Sequence, residues 1–365
     1  MNGYYTFKMK SEHAALTSSL LLALLLLSLG SFQLAIEVKK TMEWDFENEI
    51  TFFLLEDNSL AVWNSVDMDL SIFKDKEVIK HLKVTKGQGP QDFSVMSNIL
   101  STPNHYLIWD HMLRRFSFYS KEWKFEKIKK MSTLRFYHPL AIINDSHYLA
   151  MWNNFEKHQK GSSIYQNIGI VDDNKKTVII HKTGGAFNDS GTLNLDRPHL
   201  ITSLSEKKLF VADNNRYKVF MTPIKANEIR LTEKIKYIER DVSPIKWNDQ
   251  CTNLQWEISK KPQTPPKIKY PDNIPPLFSI ASSGDMVAVV TNERILQNQS
   301  KIDFFKGQQY VGSIEIPLLY AQYFIFPSWL YFKPGIILKG NDLFTLHYFD
   351  DEDVFQIIKW KVNLI

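Results

Sequence analysis

The stretch Tyr106-Leu107-Ile108-Trp109-Asp110 is an apolar strand closed by a carboxylate, and it decides the fold because its pattern returns along the chain. The pattern occurs earlier as Leu60-Ala61-Val62-Trp63-Asn64 and later as Tyr148-Leu149-Ala150-Met151-Trp152-Asn153. These copies follow one another at about 45 residues, a spacing typical of the four-stranded blades of a β-propeller.

Three further copies follow, the last of them weaker. They lie at residues 209–213, 286–292 and 343–348. Short runs rich in Val, Ile, Phe, Tyr and Trp alternate with Asn, Asp, Lys and Gly turns, which indicates antiparallel strands. The sequence therefore predicts an all-β chain, a six-bladed β-propeller with four-stranded antiparallel blades.

The two ends of the chain predict how the ring closes. Lysine-rich runs at residues 78–84 and 125–130 are expected as outermost strands, because lysine at an exposed edge discourages pairing with other sheets. The sixth copy lacks such a strand, since the chain ends with the run 354–362. Residues 36–44 are predicted to form a strand that belongs to no other blade. We therefore expect the mature N-terminal strand to pair with the last blade and close the ring.

The composition excludes several classes of protein. The 365 residues carry 44 Lys plus Arg and 40 Asp plus Glu, so the net charge of +4 lacks the basic excess of a nucleic-acid binder. The 44% of hydrophobic and 23% of charged residues fit a globular chain and exclude disorder. Cys251 is the one cysteine, so neither an intrachain disulfide nor a cysteine-based zinc cluster can form, and we interpret it as inert.

The first 35 residues differ from the rest and predict export. Lys8 and Lys10 precede an apolar run at residues 14–29, and the small residues Gly30 and Ala35 follow it. This order is typical of a secretory signal peptide. The pattern favours cleavage. The alternative is an uncleaved signal anchor, because residues 14–36 are long enough to span a bilayer as a membrane tether.

Three stretches resemble known propeller families. Val211-Ala212-Asp213-Asn214-Asn215-Arg216-Tyr217-Lys218-Val219-Phe220 resembles the core of an NHL repeat, and residues 109–118 form a second copy. Gly87-Gln88-Gly89-Pro90-Gln91-Asp92-Phe93 resembles a turn of secreted bacterial six-bladed propellers. The resemblance implies an exported propeller with this turn between its first blades. Arg115 and Arg216 are expected to bind the turn or neighbouring carbonyl groups, and Phe93 is expected to pack between blades.

Polar residues at corresponding points of the repeats form the first candidate site. They are Asn64, Asp110, Asn153, Asp213 and Asn292. Six-bladed lactonases and arylesterases hold a divalent cation in the channel through such residues, so likeness to them implies a Ca²⁺ ring. The favoured interpretation is turn capping, because Asn and Asp bond the backbone that follows them. No other cofactor is predicted.

Histidines give weaker indications of chemistry. No spacing typical of a zinc site occurs among them. His138 and His199 lie near the predicted entries to the third and fourth blades, where a catalytic base is conceivable. A polar loop role is the favoured interpretation of both.

The second candidate site is an insertion at residues 241–276, which breaks the repeat and is rich in proline, lysine and aromatic residues. Within it, Trp247, Trp256 and Tyr270 are residue types enriched at binding hot spots. Lys260 and Lys261 belong to a local basic patch, for which an acidic polymer or lipid headgroups are candidate partners and a solvated charge run is the favoured interpretation. Long insertions are commonly functional, so we expect it either to cap the channel or to contact a partner. The alternative is a linker wrapped round the propeller.

The sequence taken as a whole predicts a binding or protein-interaction module without catalysis, located in the periplasm, at the cell surface or outside the cell. Its partner would be a protein or another component of the envelope, and not a nucleic acid. The alternative is a Ca²⁺-dependent hydrolase similar to lactonases and esterases, with its site in the channel.

Overall fold

The computed structural model describes most of the chain after the signal-like segment. The described residues are 36–131, 137–144, 147–158, 161–172, 177–183, 186–189, 192–194, 200–205, 208–213, 215–224, 235–248, 267–269, 272–320 and 335–365. Residues 1–35, on which the signal peptide or anchor is predicted, lie outside them. Within the described ranges, no helix is long and apolar enough to cross a membrane.

Six blades of four strands each make up the body of the molecule, and a fifth strand joins the sheet of the third blade. The chain begins with β1 (Ile36–Phe46), which belongs to the last blade. Blade 1 contains β2 (Ile50–Leu54), β3 (Leu60–Asn64), β4 (Asp69–Lys74) and β5 (Glu77–Lys83). Blade 2 contains β6 (Met96–Ser101), β7 (His105–Asp110), β8 (Arg115–Ser120) and β9 (Phe125–Lys130). Blade 3 contains β10 (Tyr137–Asn144), β11 (His147–His158), β12 (Gly161–Asp172) and β13 (Thr177–Lys182).

The second half repeats this plan with additions. Two short strands, β14 (Ala186–Asp189) and β15 (Thr192–Asn194), precede blade 4. Blade 4 contains β16 (Leu200–Ser205), β17 (Lys208–Asp213), β18 (Lys218–Pro223) and β19 (Ile235–Glu239). The insertion contributes β20 (Ile245–Lys246), β21 (Lys267–Lys269) and β22 (Asn273–Ile274). Blade 5 contains β23 (Leu277–Ser283), β24 (Met286–Thr291), a 3₁₀ turn (Ile295–Gln297), β25 (Gln299–Lys306) and β26 (Gln309–Pro317). Blade 6 contains β27 (Ile336–Lys339), β28 (Asp342–Phe349) and β29 (Val354–Leu364).

The predicted architecture is confirmed. Every blade pairs its strands antiparallel, blades 1 to 5 in chain order, and the predicted marker strand is the second strand of each. In blade 6 the order is β27, β28, β29 and β1, so the N-terminal strand supplies the missing outermost strand and closes the ring.

The core lies between blades, because each blade packs its apolar side chains against both neighbours. Six clusters of buried residues fill the six seams, one for each pair of adjacent blades. At the closing seam, Trp44 and Phe344 of blade 6 pack with Phe52 and Val62 of blade 1. Closure therefore rests on apolar burial as well as on strand pairing.

A bulge recurs in the outermost strand pair of all six blades. One residue of each fourth strand is skipped in the pairing: Thr41, Ile79, Glu126, Ile180, Tyr237 and Val311. Such bulges bend an edge strand and make it a poor template for pairing with another sheet. Because β1 carries the same bulge, it corresponds to the other fourth strands although it begins the chain.

The strand directions define two faces of the ring. The upper face carries the turns between second and third strands, such as residues 65–68, together with the connections from blade to blade. The lower face carries the turns between first and second strands, such as residues 55–59, and those between third and fourth strands. Both the predicted polar ring and the insertion belong to the upper face.

Candidate functional site

The five polar residues of the predicted ring lie on the upper side of five successive blades. Asn64, Asp110 and Asp213 end their second strands, Asn292 directly follows one, and Asn153 lies within the longer β11. Their metal-binding role stays a prediction. The structure shows, however, what several of their side chains bind.

The ring members do not all occupy equivalent faces of their strands. Ile108 packs against blade 1, so Asp110, two residues later, faces the preceding blade. Met151 packs against blade 4, so Asn153 faces the following blade. Successive side chains of a strand point to opposite faces of the blade. A polar residue that lies one position further along its strand therefore faces the opposite neighbouring blade.

Asn64 and Asp110 hold turns of the upper face. The Oδ1 of Asn64 accepts hydrogen bonds from the backbone N–H groups of Val66 and Asp67, at 2.9 and 3.0 Å. The fully buried Asp110 accepts a bond from the N–H of Leu113 at 2.9 Å through Oδ1, and one from the N–H of Ser94 at 2.6 Å through Oδ2. Asp110 thereby joins its own turn to the connection from blade 1.

Asn292 and Asp213 also contact a neighbouring blade or connection. Asn292 donates from Nδ2 to the carbonyl oxygen of Pro275 at 2.8 Å, and its backbone N–H donates to Pro276 at 3.2 Å. Asp213 lies 3.4 Å from Nε2 of His181, on the outermost strand of blade 3. Asn292 therefore links blade 5 to the chain that enters it, and Asp213 links blade 4 to the outermost strand of blade 3.

The Gly-x-Gly-Pro turn lies between blades 1 and 2, as the resemblance implies, and Arg115 at the start of β8 binds it. The buried guanidinium donates to the carbonyl oxygens of Gln88, Gly89 and Asp92, at 3.1, 2.6 and 2.5 Å. Phe93 is fully buried in the cluster between these two blades, which confirms its expected packing. The loop is thus held rigidly on the upper face, whereas Arg216 is exposed to solvent.

Glycine leaves room for the carboxylate of Asp92 at two points of this turn. A Cβ at Gly87 or Gly89 would lie 2.3 or 2.7 Å from Oδ2 of Asp92. That carboxylate accepts a bond from the N–H of Gly89 at 2.8 Å and another from Thr85, and these bonds lower the pKa of Asp92. The turn therefore wraps around its own carboxylate.

Two histidines approach each other at the upper end of blades 2 and 3. His138 lies at the start of the innermost strand β10, and His111 follows Asp110. Burial lowers the pKa of His111, and it lowers that of His138 to about 4, to which the charge of His111 contributes. Both imidazoles are therefore neutral at pH 7, and His138 lies in a strand and not in the polar loop that the sequence favoured.

The insertion begins and ends in a small antiparallel ladder. Ile245 pairs with Ile274 between β20 and β22, and the N–H of Trp247 donates to the carbonyl oxygen of Asp272 at 3.0 Å. Trp247 is partly buried at this base. Trp256, Lys260, Lys261 and Tyr270, together with Cys251, lie outside the described residues.

A second layer of strands rises from the upper face. The β11–β12 hairpin of blade 3 extends to His158 and Gly161, and β14 pairs with its tip. The next strand, β15, pairs in parallel with β21 of the insertion, with Leu193 opposite Ile268. Two connections on either side of blade 4 therefore meet above the ring.

A buried charge network, absent from the sequence predictions, anchors the start of the insertion. Asp303 of blade 5 is fully buried, and its Oδ2 accepts bonds from Tyr217 at 2.7 Å and from Arg240 at 2.5 Å. Arg240 also pairs with Glu293, which in turn pairs with Lys301. Arg240 directly follows blade 4, so these charges fix the first residue of the connection to blade 5.

Burial and pairing shift the protonation of this network. Burial raises the pKa of Asp303, against the effect of its bonds from Tyr217 and Arg240. Burial and the negative charge of Asp303 raise the pKa of Tyr217 well above its usual range. Burial acts to raise the pKa of Glu293, but hydrogen bonds from Lys301 and Arg240 bring it below the ordinary value.

Within the described part of the chain, no group of three or more His, Cys, Asp or Glu side chains could hold a metal ion.

Comparisons with solved structures show the fold. A protein described as exported, from Bacteroides fragilis, aligns with a TM-score of 0.50 at 13% identity over 91% of this chain and 96% of its own. A member of the DUF4221 family from Bacteroides vulgatus aligns with a TM-score of 0.50 at 11% identity, over 91% and 100%. No protein-family model matches the chain, and no curated protein matches it. At these identities the likeness establishes the six-bladed propeller and no activity.

Proposed function

We propose that the chain is an exported β-propeller that binds a protein partner through its upper face. The observation that carries this proposal is the β15–β21 ladder, in which two blade connections meet above the ring. A connection that only joins neighbouring blades has no need of such a layer. Ordered insertions on one face of a rigid scaffold commonly serve binding.

The upper face has the properties of a prepared binding surface. Arg115 fixes the loop that presents Gln88 and Pro90 to solvent, and Arg240 fixes the root of the insertion. Met112 and Val66 are 57% and 65% exposed in turns of the same face. Rigid loops lose little entropy when a partner binds, and exposed apolar side chains provide the area to be buried.

A binding role agrees with how polar side chains are used on this face. Asp110, Asn292 and Arg115 direct their hydrogen bonds to backbone groups of turns and connections. They therefore position loops, which is the use expected in a scaffold. Export accords with the signal-like segment and is part of the same proposal.

The test is photo-cross-linking of the full chain in its native host. A photoreactive residue is placed at Trp247 or Met112 on the upper face, with Lys124 and Gln308 as exposed controls on the lower face. The proposal expects one discrete protein adduct from both upper positions and none from the controls. Equal adducts from both faces, or no adduct from either upper position, would contradict it.

A further inference from the structure

The direction of β1 fixes where the N-terminal segment meets the propeller. Ile36 pairs with Leu364, at the end of the third strand of blade 6. Third strands start at an upper-face turn and end at the lower face, so Ile36 lies at the lower face. The chain therefore enters the ring at Ile36 on the side opposite the insertion, directly after the apolar stretch of the sequence.

Exposed apolar side chains flank this entry point. Ile365 is 72% exposed beside the Ile36–Leu364 pair, and Tyr310 is 47% exposed near the lower end of β26. Ile36 packs against that same strand, because a Cβ at Gly312 would lie 2.4 Å from its Cγ2. Tyr310 and Ile365 are therefore neighbours of the chain entry in two adjacent blades.

The apolar exposure continues along the lower rim. In blade 1, Val78 and Ile79 are 54% and 51% exposed just after the lower-face turn, and Ile179 of blade 3 is 44% exposed at a similar position. Five of the seven strongly exposed large apolar residues among those described thus lie near the lower ends of outer strands or at the C-terminus. Single exposed apolar residues are ordinary, but their grouping on one side marks a contact surface.

We propose that the lower face rests on a lipid bilayer, in which residues 14–36 are retained as a tether. Tyr310, Ile365, Val78 and Ile79 then contact the boundary between headgroups and acyl chains. Tyrosine suits this position because its ring is apolar and its hydroxyl is polar.

The lipid contact depends on apolar side chains more than on charge. Next to Val78 the exposed turn residues Lys74 and Lys76 alternate with Asp75 and Glu77. Their charges balance, so this turn offers anionic headgroups little net electrostatic attraction. Neutral phosphatidylcholine is therefore the appropriate probe. The orientation leaves the upper face directed away from the membrane, and it does not depend on the proposed protein partner.

The experiment measures which face lies close to lipid in the full chain. Cys251→Ser provides a cysteine-free background, into which single cysteines are introduced and labelled with bimane. The protein is reconstituted into phosphatidylcholine vesicles with and without a nitroxide-labelled lipid that quenches nearby bimane. The paired positions are Tyr310→Cys against Met112→Cys, and Ile79→Cys against Val66→Cys, each comparing similar exposure on opposite faces.

Quenching at Tyr310→Cys should exceed that at Met112→Cys several-fold, and Ile79→Cys should exceed Val66→Cys likewise. The second pair is decisive, because Ile79 lies in blade 1, on the other side of blade 6 from Tyr310, so quenching at both positions requires that the lower face approaches lipid on both sides of the tether. Equal quenching within the second pair, stronger quenching on the upper face, or recovery of the protein free of vesicles would overturn the proposal. The outcome leaves the cross-linking test of the upper face unaffected.

Discussion

Lowering the pH from 7.5 to 5 should destabilise the propeller by about 2 kcal/mol through His347 alone. His347 is fully buried in β28, and its Nδ1–H donates to the carbonyl oxygen of Leu318 at 3.2 Å. Its Nε2 therefore accepts from the hydroxyl of Thr345 at 2.7 Å, and that hydroxyl accepts from Nε1–H of Trp360 at 2.8 Å. The chain of bonds fits a neutral imidazole.

Burial is the main cause that lowers the pKa of His347 from 6.5 to about 4, and the charge of Lys40 contributes. Between these values the unfolded chain binds a proton that the folded chain does not. Above pH 6.5 the titration of His347 therefore leaves the free energy of unfolding unchanged. The free energy of unfolding falls as the pH drops from 6.5 toward 4. Each pKa unit corresponds to about 1.4 kcal/mol, so the loss is about 2 kcal/mol at pH 5 and approaches about 3 kcal/mol below pH 4.

Urea unfolding of the wild type and of His347→Gln at both pH values isolates this contribution, because the other titrating groups cancel in the difference. The wild type should lose about 2 kcal/mol more than His347→Gln between pH 7.5 and 5. Trp360→Phe is the matched control: it removes a donor from the same chain of bonds but keeps the imidazole, so it should retain the pH dependence of the wild type. If His347→Gln shows the same pH dependence as the wild type, the reasoning is refuted.

Three other changes test the remaining contacts. Arg115→Lys should destabilise by about 2–4 kcal/mol, because one ammonium cannot reach three carbonyl oxygens; a loss below about 1 kcal/mol in urea unfolding would count against the described geometry. Phe93→Ala should cost about 3–5 kcal/mol by the same measurement, since it empties the seam between blades 1 and 2, and a small loss would mean that the seam closes over the cavity. Added Ca²⁺ should leave the Tm unchanged, because Asp110 and Asn292 already bind backbone groups. A specific site at 100-fold its Kd would instead add about 2.7 kcal/mol and raise the Tm by several degrees, which would support the metal hypothesis.

The repeat pattern predicts the blades because a second strand is buried on both faces and must end in a turn, which leaves an apolar run followed by Asn or Asp. It also predicts closure, since a sixth unit without a fourth strand needs a partner from elsewhere. The sequence locates the five polar residues of the ring along the chain, but it does not show which neighbouring blade each side chain faces. Trp109-Asp110 and Trp152-Asn153 look alike in sequence, yet a shift of one residue turns Asn153 toward the opposite neighbour.

Other features left no local signal. The bulged residues include Thr41, Glu126 and Tyr237, which share no chemistry, because a bulge is set by how two strands align. The pair of Arg240 and Asp303 joins residues 63 positions apart, one directly after blade 4 and the other in blade 5. Neither residue stands in a motif, and only the packing of blade 4 against blade 5 brings them together.

The way the ring closes determines which face any N-terminal tether occupies. Fourth strands run from the lower to the upper face, whereas first strands run the opposite way. Because β1 closes blade 6 as its fourth strand, the chain enters from below and reaches blade 1 from above. Closure through a first strand would have brought the N-terminal segment to the upper face, beside the insertion. Closure by an outermost strand therefore separates the proposed membrane contact from the proposed binding surface by the full height of a blade.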